Sequence, residues 1–180
     1  MFEDVVRVIF SLPELAPLEI LPPRLDVLFE QLQAATQVGE AYTIEDEIWA
    51  LWTEHPDPAA TRIMNDAIAA MASKRFAEAQ TILDDLVRQQ PLWPEAWNKR
   101  ATLAFLQGRD VESARDIRRT LQMEPRHFGA LSGFAQICLR NHEPTAALIA
   151  FEAALRINPH LAAVRIAAEQ LRRRHPNTLH

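Results

Sequence analysis

The chain has 180 residues, of which 48% are hydrophobic and 24% are charged, and its formal net charge is −5. This length and balance suit one globular domain with a real core and argue against wholesale disorder. Only 4 Gly stand against 12 Pro, and β-forming residues are scarce beside Ala and Leu, so the composition favours an all-α fold over a sandwich or barrel. The single cysteine, Cys138, excludes an intramolecular disulfide framework and a multi-cysteine metal site.

The charges are unevenly distributed along the chain. Residues 1–90 carry 6 Lys and Arg against 16 Asp and Glu, a net −10, whereas residues 91–180 carry 13 against 8, a net +5. One interpretation is that solvated helix faces simply differ in sign. The alternative is an end-to-end gradient that steers the molecule toward a charged partner or toward a second copy of itself.

The first residues lack the features of a secretory signal. Glu3 and Asp4 stand where a signal peptide carries positive charge, and no small-residue cleavage site follows the apolar run 5–12. No stretch reaches the roughly 20 apolar residues that a membrane-spanning helix requires. We therefore expect a cytoplasmic protein without a membrane span, with a longer bacterial or organellar precursor as the alternative.

An apolar, proline-containing leader, residues 1–24, opens the chain. Its prolines resist a long helix, and it is too apolar to remain free in solvent. We expect it to pack on the first repeat described below or to reach a groove, either its own or that of a neighbouring molecule.

A 34-residue repeat dominates the sequence that follows. Pro91, Pro125 and Pro159 recur at this constant interval, and each ends an amphipathic stretch. Three other sets recur in the same phase: the small residues Ala67, Ala101 and Ala135, the small residues Ala79, Ser113 and Ala147, and the large apolar residues Ile63, Trp97 and Leu131. Small residues let two helices approach closely, and a large partner fills the space opposite.

The apolar periodicity predicts a helical hairpin in each repeat. The predicted helix pairs are 58–72 with 76–89, 94–106 with 111–123, and 128–140 with 145–157. Pro58 and Pro94 suit the first turn of the helices that they open. Gly108 suits the turn inside the middle hairpin.

These features resemble the tetratricopeptide repeat. The resemblance rests on the 34-residue period, on Trp97 with Ala101, Gly108, Ser113 and Ala147, on the terminal prolines, and on Phe151 at an aromatic site. It implies an all-α, right-handed helical-repeat solenoid of antiparallel helix pairs, with about nine helices. The implied order after the leader is a degenerate first repeat 25–59, repeats 60–93, 94–127 and 128–161, a capping helix 162–174 and a tail 175–180.

Two departures from the family pattern have alternative explanations. Asp66 and Arg100 occupy a site where the family usually has Leu, and we expect them to form an ion pair between adjacent helices; the alternative is that they line a ligand pocket. The pairs Trp49/Trp52 and Trp93/Trp97 are typical of core positions, with an exposed peptide-binding role for Trp93 as the alternative.

No motif in the sequence supports catalysis. The six His lack the spacing of a metal site, so we expect them to be solvated or to cap helices, and Cys138 to be a buried inert thiol. The run 129–133 has the wrong spacing for a nucleophile turn. We therefore expect no enzyme activity, no cofactor and no metal. Basic residues recur at Arg115, Arg118, Arg119 and Arg172–Arg174, but no aromatic side chains are interleaved with them, so we expect no nucleic-acid partner.

The resemblance implies that the first helices of successive repeats line a concave groove that binds a peptide. Carried onto this chain, the groove-facing residues are Met64, Asn65, Ile68, Met71, Asn98, Lys99, Thr102, Phe105, Ser132, Gln136, Leu139 and Arg140. Met64 and Ile68 stand where chaperone-tail-binding members have the first Lys and Asn of their carboxylate clamp, so a chaperone tail is a poor ligand. The gradient from apolar to basic residues suits an amphipathic peptide with an acidic end.

The sequence therefore predicts a non-catalytic protein–protein interaction scaffold that binds a peptide segment of a partner in this groove. Two alternatives remain open: a regulatory or assembly subunit of an enzyme complex, and a self-associating scaffold that forms homo-oligomers.

Overall fold

The structure, a computed structural model, describes residues 2–174; the expected tail 175–180 lies outside the described residues. The described residues form ten α-helices and one short 3₁₀ turn, with no β-strand among them. The helices are α1 (Phe2–Ser11), α2 (Arg24–Ala34), α3 (Val38–Thr53), α4 (Pro58–Ala72), α5 (Phe76–Gln89), α6 (Pro94–Leu106), α7 (Asp110–Met123), α8 (Phe128–Arg140), α9 (Pro144–Ile157) and α10 (Ala162–Arg174), and the 3₁₀ turn is Leu12–Glu14. The all-α prediction is confirmed. The additional helix is α1, which forms because every proline of the leader follows Ser11.

The hairpins α4–α5, α6–α7 and α8–α9 share the same internal turn. Lys74, Gly108 and His142, which are equivalent positions of the three repeats, have positive φ values of 58°, 74° and 60°. The residue after each donates its backbone N–H, at 2.8 Å, to a carbonyl in the preceding helix, in the pairs Arg75 to Ala70, Arg109 to Ala104 and Glu143 to Cys138. This left-handed turn is a common way to end a helix. It repeats in all three hairpins, although only one of them carries the expected glycine.

Small residues lie where the two helices of a hairpin meet. Ala67, Ala101 and Ala135 are fully buried. In the middle hairpin the hydroxyl of Ser113 on α7 donates to the carbonyl of Ala101 on α6 at 2.7 Å. The close approach that the sequence predicts at these positions is therefore present.

The hydrophobic core is divided into two clusters. One cluster joins α4 and α5 to α6 and includes Met64 and Leu83. The other joins α1–α3 to α7–α10 and includes Leu28, Ile48 and Phe134. The N-terminal helices therefore share a core with the C-terminal repeats rather than with the repeat that follows them in the sequence.

The outward side of α4 is polar. Arg62 and Asp66 are exposed, whereas the equivalent residues two repeats later on α8, Ala130 and Phe134, are fully buried. Helix α3 packs against α2 and α6 instead of covering this side of α4. A polar outer face suits the solvated end of a solenoid, so the regular stack of helix pairs begins at α4.

Helix α1 and the linker after it lie on the second and third hairpins. Helix α1 packs against α7 and α9, with Val5 and Ile9 buried one turn apart. The Phe2 ring meets the Phe134 ring edge to face, with centroids 6.0 Å apart, and the backbone N–H of Leu18 donates to the Met123 carbonyl at 2.9 Å. For α1 the expected packing on the first repeat is wrong, because the apolar surface that accepts this helix surrounds Phe134.

The α2–α3 hairpin crosses the three loops that follow α5, α7 and α9. At the first loop the Trp52 carbonyl accepts the indole N–H of Trp93 at 2.8 Å. At the second loop the rings of Phe29 and Phe128 lie with centroids 6.4 Å apart. At the third loop the side-chain amide of Gln33 donates to backbone carbonyls at the end of α9. Within residues 2–174, no helix is both long and apolar enough to cross a bilayer.

Candidate peptide-binding face

The predicted groove residues form three rows across α4, α6 and α8, because residues one repeat apart occupy the same place on successive hairpins. Row one is Met64, Asn98 and Ser132, row two is Ile68, Thr102 and Gln136, and row three is Met71, Phe105 and Leu139. Row one lies toward the N-terminal ends of these helices, and row three lies toward their C-terminal ends. Asn65 and Lys99 follow row-one residues directly, and Arg140 follows row three.

Two of the three members of row one are buried in the protein. Met64 is fully buried and Asn98 is 6% exposed. The half-buried Ser132 donates its hydroxyl to the Phe128 carbonyl at 2.8 Å, within its own helix. Met64 and Asn98 therefore offer little surface to a ligand, whereas Ser132 keeps part of its surface.

Trp49 of α3 is one of the side chains that cover this end of the face. A Cβ atom on Gly129, at the start of α8, would lie 2.8 Å from Cζ2 of the Trp49 ring, so only glycine lets the ring pack this closely. The ammonium of Lys99 lies 5.4 Å from the same ring. The neighbouring Trp52 is buried and stacks on His127 with centroids 4.0 Å apart. Helix α3 thus packs on the N-terminal ends of α6 and α8.

A buried polar cluster lies beneath these tryptophans, and sequence reasoning missed it. The fully buried Glu95 carboxylate accepts from the ring of the fully buried His127 at 2.8 Å and from the Asn98 amide at 3.0 Å, and it lies 2.7 Å from the Lys99 ammonium. The other ring nitrogen of His127 accepts the backbone N–H of Ala130 at 3.1 Å. His127 therefore caps α8 through Nδ1 and bonds to Glu95 through Nε2.

The electrostatics of this cluster favour an ionised Glu95. Burial opposes ionisation, but the hydrogen bond from His127 and the ammonium of Lys99 outweigh it, so the pKa of Glu95 lies below its usual value. The expectation that histidines cap helices holds for His127. For the rest of this cluster, the one sequence feature that could have indicated it was the position of Glu95 in the first turn of α6, where a carboxylate interacts favourably with the helix dipole.

Rows two and three remain accessible. Thr102 and Gln136 are exposed, and so is Asn65. The apolar members of the rows, Ile68, Met71, Phe105 and Leu139, are half-buried. The C-terminal halves of α4, α6 and α8 therefore carry a partly apolar surface with polar residues between the apolar ones, which we call the open face.

Phe105 and Arg140 are neighbours at one end of the open face. The Arg140 guanidinium stacks 3.9 Å from the centre of the Phe105 ring and donates to the Phe105 carbonyl at 3.0 Å. It also binds the Asp110 carboxylate. Burial opposes the ionisation of Asp110, but hydrogen bonds from Arg140 and Asn141 lower its pKa below the usual value. The charge of Arg140 is therefore already compensated.

The comparisons with known proteins agree with this architecture. The tetratricopeptide repeat family model matches residues 65–117 and 112–162, more than half of the chain. A TPR repeat-containing protein of Rhizobium etli is 38% identical over 148 residues, which cover 82% of this chain and 71% of that protein. The chain belongs to the tetratricopeptide repeat (TPR) family. TPR repeats generally mediate protein–protein interaction, and the fold is generally a non-catalytic scaffold.

Two solved TPR domains share the fold. The Sgt2 TPR domain from Aspergillus fumigatus has a TM-score of 0.62 at 20% identity, over 67% of this chain and 82% of that one. The Arabidopsis OM64 TPR domain has a TM-score of 0.60 at 15% identity, over 64% of this chain and 95% of that one. At these identities the likeness concerns the fold alone.

The expected Asp66–Arg100 ion pair is wrong. Within the TPR array, Arg100 on α6 binds the Asp116 carboxylate of α7 with two hydrogen bonds, at 2.7 and 2.9 Å, and the Asp84 carboxylate of α5 at 3.0 Å. Hydrogen bonds to Asp116 raise the pKa of Arg100, although its partial burial opposes this. Arg100 binds the neighbouring second helices, α5 and α7, and not Asp66, the equivalent residue of the preceding repeat. Asp66 is exposed at the solvated end of the array.

The remaining candidate residues are structural in this TPR fold. Trp52 and Trp93 are buried, so the core interpretation is confirmed for both and the exposed role for Trp93 is wrong. Burial raises the pKa of the Cys138 thiol to about 12, which makes it an inert core residue as expected. Among residues 2–174, no group of three or more His, Cys, Asp or Glu side chains has the arrangement of a metal site.

Proposed function

We propose that this TPR protein is a non-catalytic interaction scaffold that binds a short peptide segment of a partner on the open face. The observation that carries the proposal is the accessibility of rows two and three, where half-buried apolar side chains alternate with exposed polar ones. Met64 and Asn98 of row one are buried, so the ligand contacts the C-terminal halves of the three helices.

The dimensions of the face limit the length of the ligand. Packed helices lie about 8–10 Å apart, so three first helices span roughly 20 Å from axis to axis. An extended chain covers that distance in about six or seven residues, and an α-helix covers it in about 13 residues. The ligand is thus a short amphipathic segment, and its large apolar side chains meet Met71, Phe105 and Leu139.

The proposed ligand does not include the acidic end that the sequence led us to expect. The expectation of such an end rested on the basic residues of the predicted groove, Lys99 and Arg140. The Arg140 guanidinium already binds the Asp110 carboxylate, and the Lys99 ammonium lies 2.7 Å from the Glu95 carboxylate. The apolar contacts therefore provide most of the affinity, and binding depends only weakly on salt.

The test uses a phage-displayed library of random 12-residue peptides, selected on the full chain. The selected peptide is then titrated calorimetrically against the wild type and the variants Phe105→Ala and Thr102→Arg. Thr102 is exposed, so the bulky arginine blocks the face without disturbing the core. Both variants should lose about tenfold or more in affinity, because a few large residues dominate such interfaces.

The matched control is Val111→Arg, which places the same side chain at an exposed site on α7. Its affinity for the peptide should equal that of the wild type. Binding that survives Thr102→Arg, or that Val111→Arg weakens equally, would rule out the open face. Light scattering on the same variants distinguishes peptide binding from self-association. If the open face joins two copies of the chain, the mass of the particle in solution should be lower in Thr102→Arg than in the wild type and should be unchanged in Val111→Arg.

A further inference from the structure

A cavity of about 190 Å³ lies at the first inter-repeat loop, away from the open face. Three segments enclose it: residues 20–22 of the linker, residues 51–56 at the end of α3, and the loop 90–94 between α5 and α6. Its lining is mainly apolar, with the side chains of Leu51, Trp52 and Trp93 on its walls. Two apolar residues stand at its rim with much of their surface exposed, Ile20 at 59% and Leu92 at 49%.

The next repeat shows what fills the corresponding place there. Arg126 and Phe128 are the repeat equivalents of Leu92 and Pro94, which both line the cavity. In that repeat the Phe29 ring, from the α2–α3 hairpin, lies 4.5 Å from the Arg126 guanidinium and 6.4 Å from the Phe128 ring. An aromatic ring from α2 therefore packs on the second-junction residues whose equivalents at the first junction line a cavity. An apolar cavity of about 150 Å³ accepts a benzene ring, so this one is large enough for a phenyl group.

The surroundings of the cavity are acidic. Glu54 lines the cavity, and the exposed acids Glu19 and Asp57 stand directly beside its lining segments. The nearest basic residues along the chain, Arg24 and Arg88, lie two residues from those segments, and each already pairs with a carboxylate, Arg24 with Glu47 and Arg88 with Asp85. His55 is oriented within the protein: its Nδ1 accepts the backbone N–H of Asp57 at 3.0 Å, and its ring lies 4.9 Å from that of Trp93. Basic residues on either side of an inserted side chain would complement these carboxylates.

We propose that this junction cavity is a second interaction site, which takes one large aromatic side chain from a basic segment of a partner protein. The inserted ring takes the place that Phe29 has in the next repeat, between Leu92 and the end of α3. Flanking lysines or arginines lie near Glu19, Glu54 and Asp57. The site is independent of the open face, because its walls come from the linker, α3 and a loop, and none of them carries a residue of rows one to three.

The experiment is an NMR titration of the full ¹⁵N-labelled chain with three probe peptides. Acetyl-Lys-Lys-Phe-Lys-Lys-amide carries the ring and the charges, Acetyl-Lys-Lys-Ala-Lys-Lys-amide lacks the ring, and Acetyl-Glu-Glu-Phe-Glu-Glu-amide reverses the charge. The readout is the set of indole N–H resonances, since Trp52 and Trp93 line the cavity. The Lys-Phe probe should shift both resonances saturably. The Lys-Ala probe should bind at least tenfold more weakly, and so should the Glu-Phe probe.

Variants locate the binding site. Glu54→Arg and Ile20→Arg change exposed rim residues on two different walls, repel the basic probe, and should each lower its affinity about tenfold or more. Leu106→Arg is the matched control, because it makes the same change at an exposed residue of similar exposure beside row three. Probe binding that persists in both rim variants would overturn the proposal, as would a Lys-Ala probe that binds as well as the Lys-Phe probe. Loss of binding in Leu106→Arg alone would also overturn it and would assign the probe to the open face.

Discussion

The buried Glu95 carboxylate connects α6, α8 and the α3 tryptophans, so its removal tests the arrangement directly. In Glu95→Ala, the donors of His127, Asn98 and Lys99 all lose their acceptor. Removing one partner of a buried ionic pair costs about 3–5 kcal/mol. In a domain of this size each 1 kcal/mol lowers the melting temperature by about 2–4 °C, so a decrease of roughly 6–20 °C is expected for this cost.

Differential scanning calorimetry of Glu95→Ala measures this decrease, with Glu112→Ala as the control. Glu112 is an exposed glutamate in a surface ion pair with Arg109, and such pairs contribute little to stability. The control should therefore melt close to the wild type. A Glu95→Ala variant that melts within about 2 °C of the wild type would refute the view that this cluster holds α3 on the array.

The same carboxylate makes a pH-dependent contribution whose sign follows from its lowered pKa. A carboxyl group with a lower pKa in the folded state stabilises the protein above its ordinary value of 4.5, and this contribution disappears as the pH falls through the folded-state pKa. The stability difference between the wild type and Glu95→Gln should therefore be largest near neutral pH and shrink below pH 4.5. Urea unfolding at a series of pH values measures it, and a difference that grows in acid would contradict the assigned ionisation.

Two further predictions concern single contacts. Arg100→Ala and Asp116→Ala should show about 1–3 kcal/mol of coupling in a double-mutant cycle of urea unfolding, and strict additivity would mean that the bidentate pair contributes nothing. Gly129→Ala should cost about 1–3 kcal/mol and change tryptophan fluorescence, because its Cβ would meet the Trp49 ring. Gly133→Ala is its control, since the nearest atom there is 3.8 Å away; equal losses in both would place the ring elsewhere.

The period of the sequence was enough to predict the hairpins of the array. The constant spacing of prolines and small residues reflects contacts between helices that are neighbours along the chain, and such local contacts appear as periodicity. The turn at Gly108 was predicted for the same reason. The equivalent turns at Lys74 and His142 lack glycine, so residue type alone could not indicate their left-handed backbone.

The position of the N-terminal helices had no such signal. Their contacts join residues that are far apart along the chain, as in the Asp26–Arg126 ion pair and the Gln33 hydrogen bonds to the end of α9. Neither of these contacts recurs at the 34-residue interval, so the periodicity of the sequence carries no information about them. The candidate face was affected in the same way: its three rows follow from the repeat, but the packing of α3 on the N-terminal ends of α6 and α8 depends on Trp49, whose partner Gly129 lies three hairpins further along the chain.

The α2–α3 hairpin changes what this solenoid can do mechanically. In a simple solenoid each repeat contacts only its neighbours, so the curvature follows from a series of local interfaces that can each flex. Here one hairpin contacts the loops that follow all three hairpins of the array, through Trp52 at the first, Phe29 at the second and Leu32, whose carbonyl lies 3.1 Å from His160 Nε2, at the third. Flexing at any junction would disturb a contact of Trp52, Phe29 or Leu32, and all three residues are buried in the shared core. The spacing of α4, α6 and α8 is thereby constrained before a ligand arrives, and a face with fixed spacing binds at a smaller entropic cost than one that must first be ordered.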